Sequence, residues 1–191
     1  MVNEMRISEN TNKYNIMKRI NECTTFLDKC ILIRRFIKPQ SNIVETIIRR
    51  DLQIEAPPDE HSGDGIKNGV KYEIKYSGHA KKSRLNFVQI RPDHNIDYYI
   101  LIGYNMHSST EKGTVYVFKV PADELYKLVV KYGGYAHGTV KKLGTISWDN
   151  LKGRNCEYAL RINPNARKHS KSHRLLRALT TYSVEYKPDA F

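Results

Sequence analysis

Apolar residues recur along the chain with two different periods, and the change from one to the other marks out its elements. From Asn12 to Ile37, the residues Ile16, Ile20, Cys23, Leu27, Cys30 and Ile31 fall near helical spacing and predict a first helix, closed by Pro39. Ser41 is the expected N-cap of a second helix, whose stripe is Ile43, Val44, Ile47, Ile48 and Leu52. Ala56-Pro57-Pro58 then breaks the chain. Beyond it the period falls to two: Val70, Tyr72, Ile74 and Tyr76 alternate with Lys71, Glu73 and Lys75. Gly78 to Pro92 is basic and reads as irregular or a short helix. The run Asp97 to Gly103 is apolar almost throughout, which predicts a strand buried on both faces. Thr114 to Val120 is a further strand, and Pro121-Ala122-Asp123-Glu124 opens a helix that Gly133-Gly134 stops. The remainder is less regular: a loop from Tyr132 to Gly144, a short strand near Glu157–Ile162, and a basic stretch from Arg167 to Arg177. The pattern predicts an α/β fold, a mixed central β-sheet flanked by helices. One domain of 191 residues is expected, helical over about 1–55, an α/β core over about 56–132, and basic over about 133–191.

The alternating stretch carries its own turn. Asn-Gly between two extended runs calls for a two-residue loop, because a type I′ turn needs positive φ at both central residues. With Asn68-Gly69 as the loop, Lys67 pairs with Val70, Ile66 with Lys71, Gly65 with Tyr72, and Asp64 with Glu73. Opposed residues point to one face, and side chains repeat every second residue. Two carboxylates and the Lys75 ammonium therefore meet on one face, with Tyr72, Ile74 and Tyr76 on the other. Like charges opposed across a ladder repel. A hard divalent cation would offset that repulsion, since Mg2+ is held by one or two carboxylates and fills its other positions with water and phosphate oxygens. A solvated face neutralised by Lys71 and Lys75 is the alternative.

Charge distribution adds a partner. The net charge is +12, and it is unevenly spread. Residues 1–50 hold 10 Lys/Arg against 5 Asp/Glu, residues 51–140 hold 11 against 11, and residues 141–191 hold 11 against 4. A neutral segment bearing the hairpin between basic flanks fits a site that needs its own acids in a chain that binds a polyanion. There is no apolar run of membrane-spanning length and no signal-peptide core, so no membrane association and an intracellular chain are expected. Cys23, Cys30 and Cys156 lack the spacing of a disulfide framework or a zinc site. His169 and His173 have HxxxH spacing but no metalloprotease glutamate, and Arg167, Lys168, Lys171 and Arg174 around them would repel a cation.

Asp64, followed on the next strand by Glu73-Ile74-Lys75 and then by a buried strand, resembles the PD-(D/E)XK nuclease superfamily, most nearly its small type II restriction endonucleases. The likeness covers about residues 41 to 103 and implies a restriction-endonuclease-like fold. It further implies Asp64 and Glu73 as ligands of Mg2+, with Mn2+ as a substitute, and Ile74 lending its carbonyl. Lys75 would orient the attacking water. Glu45 on the preceding helix is the best candidate for an additional acid, with Glu55 second; a surface ion pair with Arg49 is the other use of Glu45. Gln89 is a candidate contact to phosphate or water, or a structural amide. His61 and His79 flank the hairpin. Gly63 stands where the family often has proline. The acid-x-Lys triplet is weak by itself, because composition gives about two by chance, and Glu185-Tyr186-Lys187 also fits it. Only the first has an acid set opposite by a turn.

The expected function is Mg2+-dependent endonucleolytic cleavage of double-stranded DNA at specific sites. A structure-selective repair or recombination nuclease such as a junction resolvase is one alternative, and a non-catalytic basic nucleic-acid-binding protein is another. Arg167, Lys168, Lys171, Arg174 and Arg177 are the expected phosphate clamp. The loop from Tyr135 to Lys142, with His137, Thr139, Lys141 and Lys142, is the candidate base reader. Cutting both strands of a symmetric site calls for a C2 homodimer, with the N-terminal helix as a candidate contact.

Overall fold

Four strands form the sheet on which the hairpin sits, in the order Gly65–Lys67, Val70–Ser77, Tyr98–Met106, Gly113–Pro121. A computed structural model of the chain describes residues 14–37, 42–78, 84–106, 113–136, 144–151 and 156–191. The hairpin strands are β1 (Gly65–Lys67) and β2 (Val70–Ser77), followed by β3 (Leu85–Ile90), β4 (Tyr98–Met106) and β5 (Gly113–Pro121). Strand β2 runs parallel to β4, from Tyr72 opposite Tyr98 to Ser77 opposite Gly103, while β4 and β5 are antiparallel. This is the mixed sheet flanked by helices that the pattern predicts.

Strand β4 divides the core in two. Its Ile100 and Ile102 join Tyr72 and Ile74 under the N-terminal helices, against Ile33, Ile47, Ile48 and Leu52. Tyr99 and Leu101 face the other way, into a second cluster with Phe87, Phe118, Leu125, Leu160 and Leu175. Burial on both faces accounts for the unbroken apolar run.

The N-terminal helical region is two helices, not the one its spacing suggests. Residues 14–22 form α1, and α2 (Phe26–Phe36) starts afresh because Thr25 is extended and its hydroxyl accepts the Asp28 N–H at 3.1 Å. Helix α3 (Ile43–Leu52) starts after Asn42, which makes no side-chain capping bond, and Ser41 lies outside the described residues. Helix α4 (Ala122–Tyr132) follows β5 and stops at Gly133, whose N–H bonds to Val129 C=O, as expected.

A second sheet was not anticipated. Strand β3, in the stretch read as irregular, pairs antiparallel with β7 (Tyr158–Ile162), and β7 pairs with the two-residue β6 (Gly134–Tyr135). The short helix α5 (Trp148–Leu151) adds Leu151 to the second cluster. The basic C-terminal stretch contains a regular helix, α6 (Lys171–Thr180), with Leu175 and Leu179 buried in that cluster. So the last third of the chain completes the core. Residues 183–191 then run back across β5, where Ser183 bridges Phe118 and the Val184 N–H bonds to Val117 C=O.

Candidate active site

The turn forms as its sequence demands. Asn68 and Gly69 have φ of 52° and 80°, and the register is Lys67 to Val70, Ile66 to Lys71 and Gly65 to Tyr72. The ladder ends there without the expected Asp64–Glu73 pair: the Asp64 N–H donates at 2.8 Å to the C=O of Tyr72, the residue already paired with Gly65. The chain then leaves the ladder through Gly63 at φ 78°. Proline, locked near −65°, cannot adopt that angle. Any Cβ there would lie 2.6 Å from both the Tyr72 carbonyl oxygen and Ile96 Cδ1. Glycine ahead of Asp64 thus follows from the strand exit.

Asp64 Oδ2 accepts the Ile74 N–H at 2.7 Å, which fixes the carboxylate across the open edge of β2. A strand residue's N–H and C=O point to the same edge in an antiparallel pair. The Ile74 carbonyl is therefore on the edge that β1 leaves uncovered, while its side chain is in the core. Glu73 lies opposite Tyr99 of β4, on the face that the second sheet covers, and is only 5% exposed. Lys75 Nζ reaches Glu73 Oε1 at 2.5 Å, with its side chain 13% exposed. The reading of this face as solvated is overturned, because β3 and its partners roof it over.

Burying these charges has a visible electrostatic cost. Burial raises the Glu73 carboxyl above its ordinary value, and Asp64 adds to the rise against the opposing pull of Lys75. Glu45, reaching in from α3, is pushed from 4.5 to about 7, first by burial and then by Asp64 and Glu73, with Lys75 opposing. Arg49 is the weakest of these influences, so the carboxyl answers to the hairpin more than to its neighbour one turn on.

A cleft of about 690 Å³ opens over this group, and Glu45, Asp64, Glu73, Lys75 and Gln89 all line it. All five expected catalytic residues are brought together, from α3, the segment ahead of β1, β2 and β3. Glu55 is not among them; it is exposed and its backbone pairs with Ile66. Arg49, Arg91 and His94 also line the cleft and were missed in the sequence. Arg91 donates from Nε and Nη2 to Glu157 Oε1 at 2.8 and 2.6 Å. The His94 ring stacks on that of His61 at 5.3 Å, and its buried Nδ1 has no partner among the described residues. His79 lies outside them. Asp59 lines the cleft too, but its carboxylate is bonded to Ser62 and to the His61 N–H as a turn cap.

The donors suit a hard divalent cation. The Asp64 and Glu73 carboxylates in one cleft, with the Ile74 carbonyl on the neighbouring open edge of β2, fit a Mg2+ site that leaves its other positions to water and phosphate. Lys75 is the cation bonded directly to Glu73, with Arg49, Arg91 and His94 further around the cleft, and the Glu45 and Glu73 carboxyls are nonetheless both raised. Among the described residues, no three of His, Cys, Asp and Glu converge to enclose an ion by themselves.

The expected clamp does not line this cleft. Arg167, Lys168, Lys171, Arg174 and Arg177 are exposed on α6 and the turn before it. His173 Nδ1 accepts the His169 N–H at 3.3 Å, a turn contact. His137, Thr139, Lys141 and Lys142 of the candidate reading loop lie outside the described residues. No helix among those residues is long and apolar enough to cross a membrane. No protein-family model matches the chain, and neither a curated protein nor a solved structure does.

Proposed function

We propose that the chain is a Mg2+-dependent endonuclease that hydrolyses phosphodiester bonds of double-stranded DNA at specific sites, in the manner of PD-(D/E)XK type II restriction enzymes. The observation that carries this reading is the meeting of Asp64, Glu73, Lys75 and Glu45 in one cleft, with Asp64, just ahead of β1, bonded to the Ile74 N–H next to Glu73 on β2. Asp64, Glu73 and the Ile74 carbonyl would hold the ion. Bound there, it would polarise the scissile phosphate and lower the pKa of a bound water. Lys75 holds Glu73 in place and orients the attacking water. Water oxygen bonds to phosphorus and releases its proton to solvent, the bond from phosphorus to the 3′ oxygen breaks, that oxygen takes a proton from solvent, and 5′-phosphate and 3′-hydroxyl ends result. The exposed bases of α6 and the turn before it grip the DNA backbone without reading sequence, and a C2 homodimer would cut both strands of a symmetric site.

Long linear duplex DNA incubated with the protein, with and without Mg2+, tests the proposal. Discrete fragments that appear only with Mg2+ are expected. An uncut substrate would refute enzyme activity, and cleavage confined to branched DNA would favour a structure-selective nuclease instead.

A further inference from the structure

Strand β3 does not keep its period. Leu85 and Phe87 point into the second cluster, so strict alternation would send Gln89 in after them. Instead Phe87 is opposite Leu160 and Ile90 is opposite Tyr158, so β3 spends one more residue than β7 over that span. That is a β-bulge, a feature that re-aims side chains and is common beside functional sites. Ile90 takes the core position, and Gln89 turns out into the cleft.

The turn-out is held by an unfavourable backbone. Gln89 has φ of 57°, a left-handed angle that a residue with a long side chain adopts at a cost. Its carboxamide has no hydrogen-bond partner among the described residues to repay that cost. Strain of this kind persists where the surrounding structure imposes it, and it clusters at functional sites. Arg91, two residues on, faces the same cleft.

We propose that the β3 bulge is a substrate-positioning device which presents the Gln89 carboxamide to a non-bridging oxygen of the DNA phosphodiester seated over Glu73 and Lys75. This rests on the nuclease reading of the cleft and adds to it a binding residue from the second sheet. The NH2 group donates to the phosphate, and the bulge holds that donor in place before substrate arrives, so less ordering is required on binding.

The test combines melting with steady-state cleavage of duplex DNA in Mg2+, using Gln89→Gly and Gln89→Asn. Glycine accepts the left-handed angle freely, so Gln89→Gly should melt about 2–4 °C above wild type. It should also raise KM by about ten- to a hundredfold with kcat little changed, as expected when a hydrogen bond to a charged group is removed from substrate binding. Asparagine keeps the carboxamide and tolerates the angle, and should recover part of the lost affinity. Three results would overturn the inference: an unchanged KM in Gln89→Gly, a fall in kcat without a rise in KM, or a lower melting point in Gln89→Gly. A wild-type protein that cuts while Gln89→Gly cuts equally well sinks the inference alone. A wild-type protein that does not cut with Mg2+ sinks the nuclease reading and this inference together.

Discussion

The chain contains the same triplet pattern twice, and the two copies are built in opposite ways. In Glu73-Ile74-Lys75 the acid and the lysine face inward beneath a second sheet, with side chains 7% and 13% exposed. In Glu185-Tyr186-Lys187 they face solvent, at 73% and 51%, and form an exposed ion pair at 2.7 Å. There it is the middle residue that is anchored, Tyr186 stacking on Phe26 and donating to Asp51 Oδ2. Both copies pair a carboxylate with an ammonium at close range. What separates them is the third group: Asp64 is held against β2 beside Glu73 by its bond to the Ile74 N–H and lines the same cleft, whereas the Glu185–Lys187 pair stands in solvent. An acid-x-Lys triplet becomes a candidate site only when the fold buries it beside another carboxylate.

The comparison breaks most visibly at the inward copy. Asp64→Ala should reduce cleavage to background, and Lys75→Ala should cost about 10²–10⁴-fold in rate, the range for removing a positioned proton-transfer or water-orienting side chain. Rates measured on duplex DNA check both, and a far-ultraviolet spectrum like that of wild type shows that the fold survives. Near-wild-type cleavage by Lys75→Ala would contradict its assigned role.

Metal supplies the next largest effect. At a hundredfold excess over its Kd, Mg2+ should stabilise the wild-type protein by about 2.7 kcal/mol. Asp64→Ala should show little of this, whereas Glu185→Ala should show all of it in a melting assay. Ca2+, larger and preferring more ligands, should support DNA binding without efficient hydrolysis. Equal stabilisation of Asp64→Ala would place the ion elsewhere.

Replacing the bases of α6 and of the turn before it sharpens the division between gripping and chemistry. Arg167, Lys168, Lys171, Arg174 and Arg177 are each expected to neutralise a phosphate, so neutralising any one of them should flatten the plot of log K against log salt by about 0.9. Cut-site preference should stay the same. A shifted preference with an unchanged salt slope would make this helix a base reader.

The smallest effect concerns pH. Below about pH 4.5 Glu45 is protonated whether the chain is folded or not. As pH rises toward about 7, the unfolded chain ionises it first, so folded stability falls through that window. In EDTA, Glu45→Gln should therefore be more stable than wild type above pH 7 by about 1 kcal/mol, solvent screening of the half-exposed carboxyl keeping the gain small. At pH 4 the two should melt alike. An equal difference at both values would point to packing and not charge.

Much of this site is legible in the sequence because its geometry is local. Asn68-Gly69 sets the register as far as Gly65 and Tyr72, and that brings Asp64 beside β2, where it bonds Tyr72 and Ile74 and not Glu73 as a ladder pair. Glu45 is legible from its place off the apolar stripe of α3. The roof over Glu73 is not, because β3 pairs with β7 some seventy residues away, and short-range periodicity carries no trace of that pairing. The bulge did leave a signal: in Leu-Asn-Phe-Val-Gln-Ile the apolar positions change phase after Phe87, which reads as irregularity until the partner strand is known. Arg91 and His94 were missed for the same reason. Helix α6 was hidden by its charge, since only Leu175, Leu176 and Leu179 mark its inner face among the basic residues.

The central claim is that burial beside Asp64, and not the triplet itself, makes the chemistry. Duplex DNA incubated in Mg2+ with wild type, Glu73→Ala and Glu185→Ala tests it most directly. The account predicts equal cleavage by wild type and Glu185→Ala and none by Glu73→Ala. Cleavage by Glu73→Ala at the wild-type rate would contradict it.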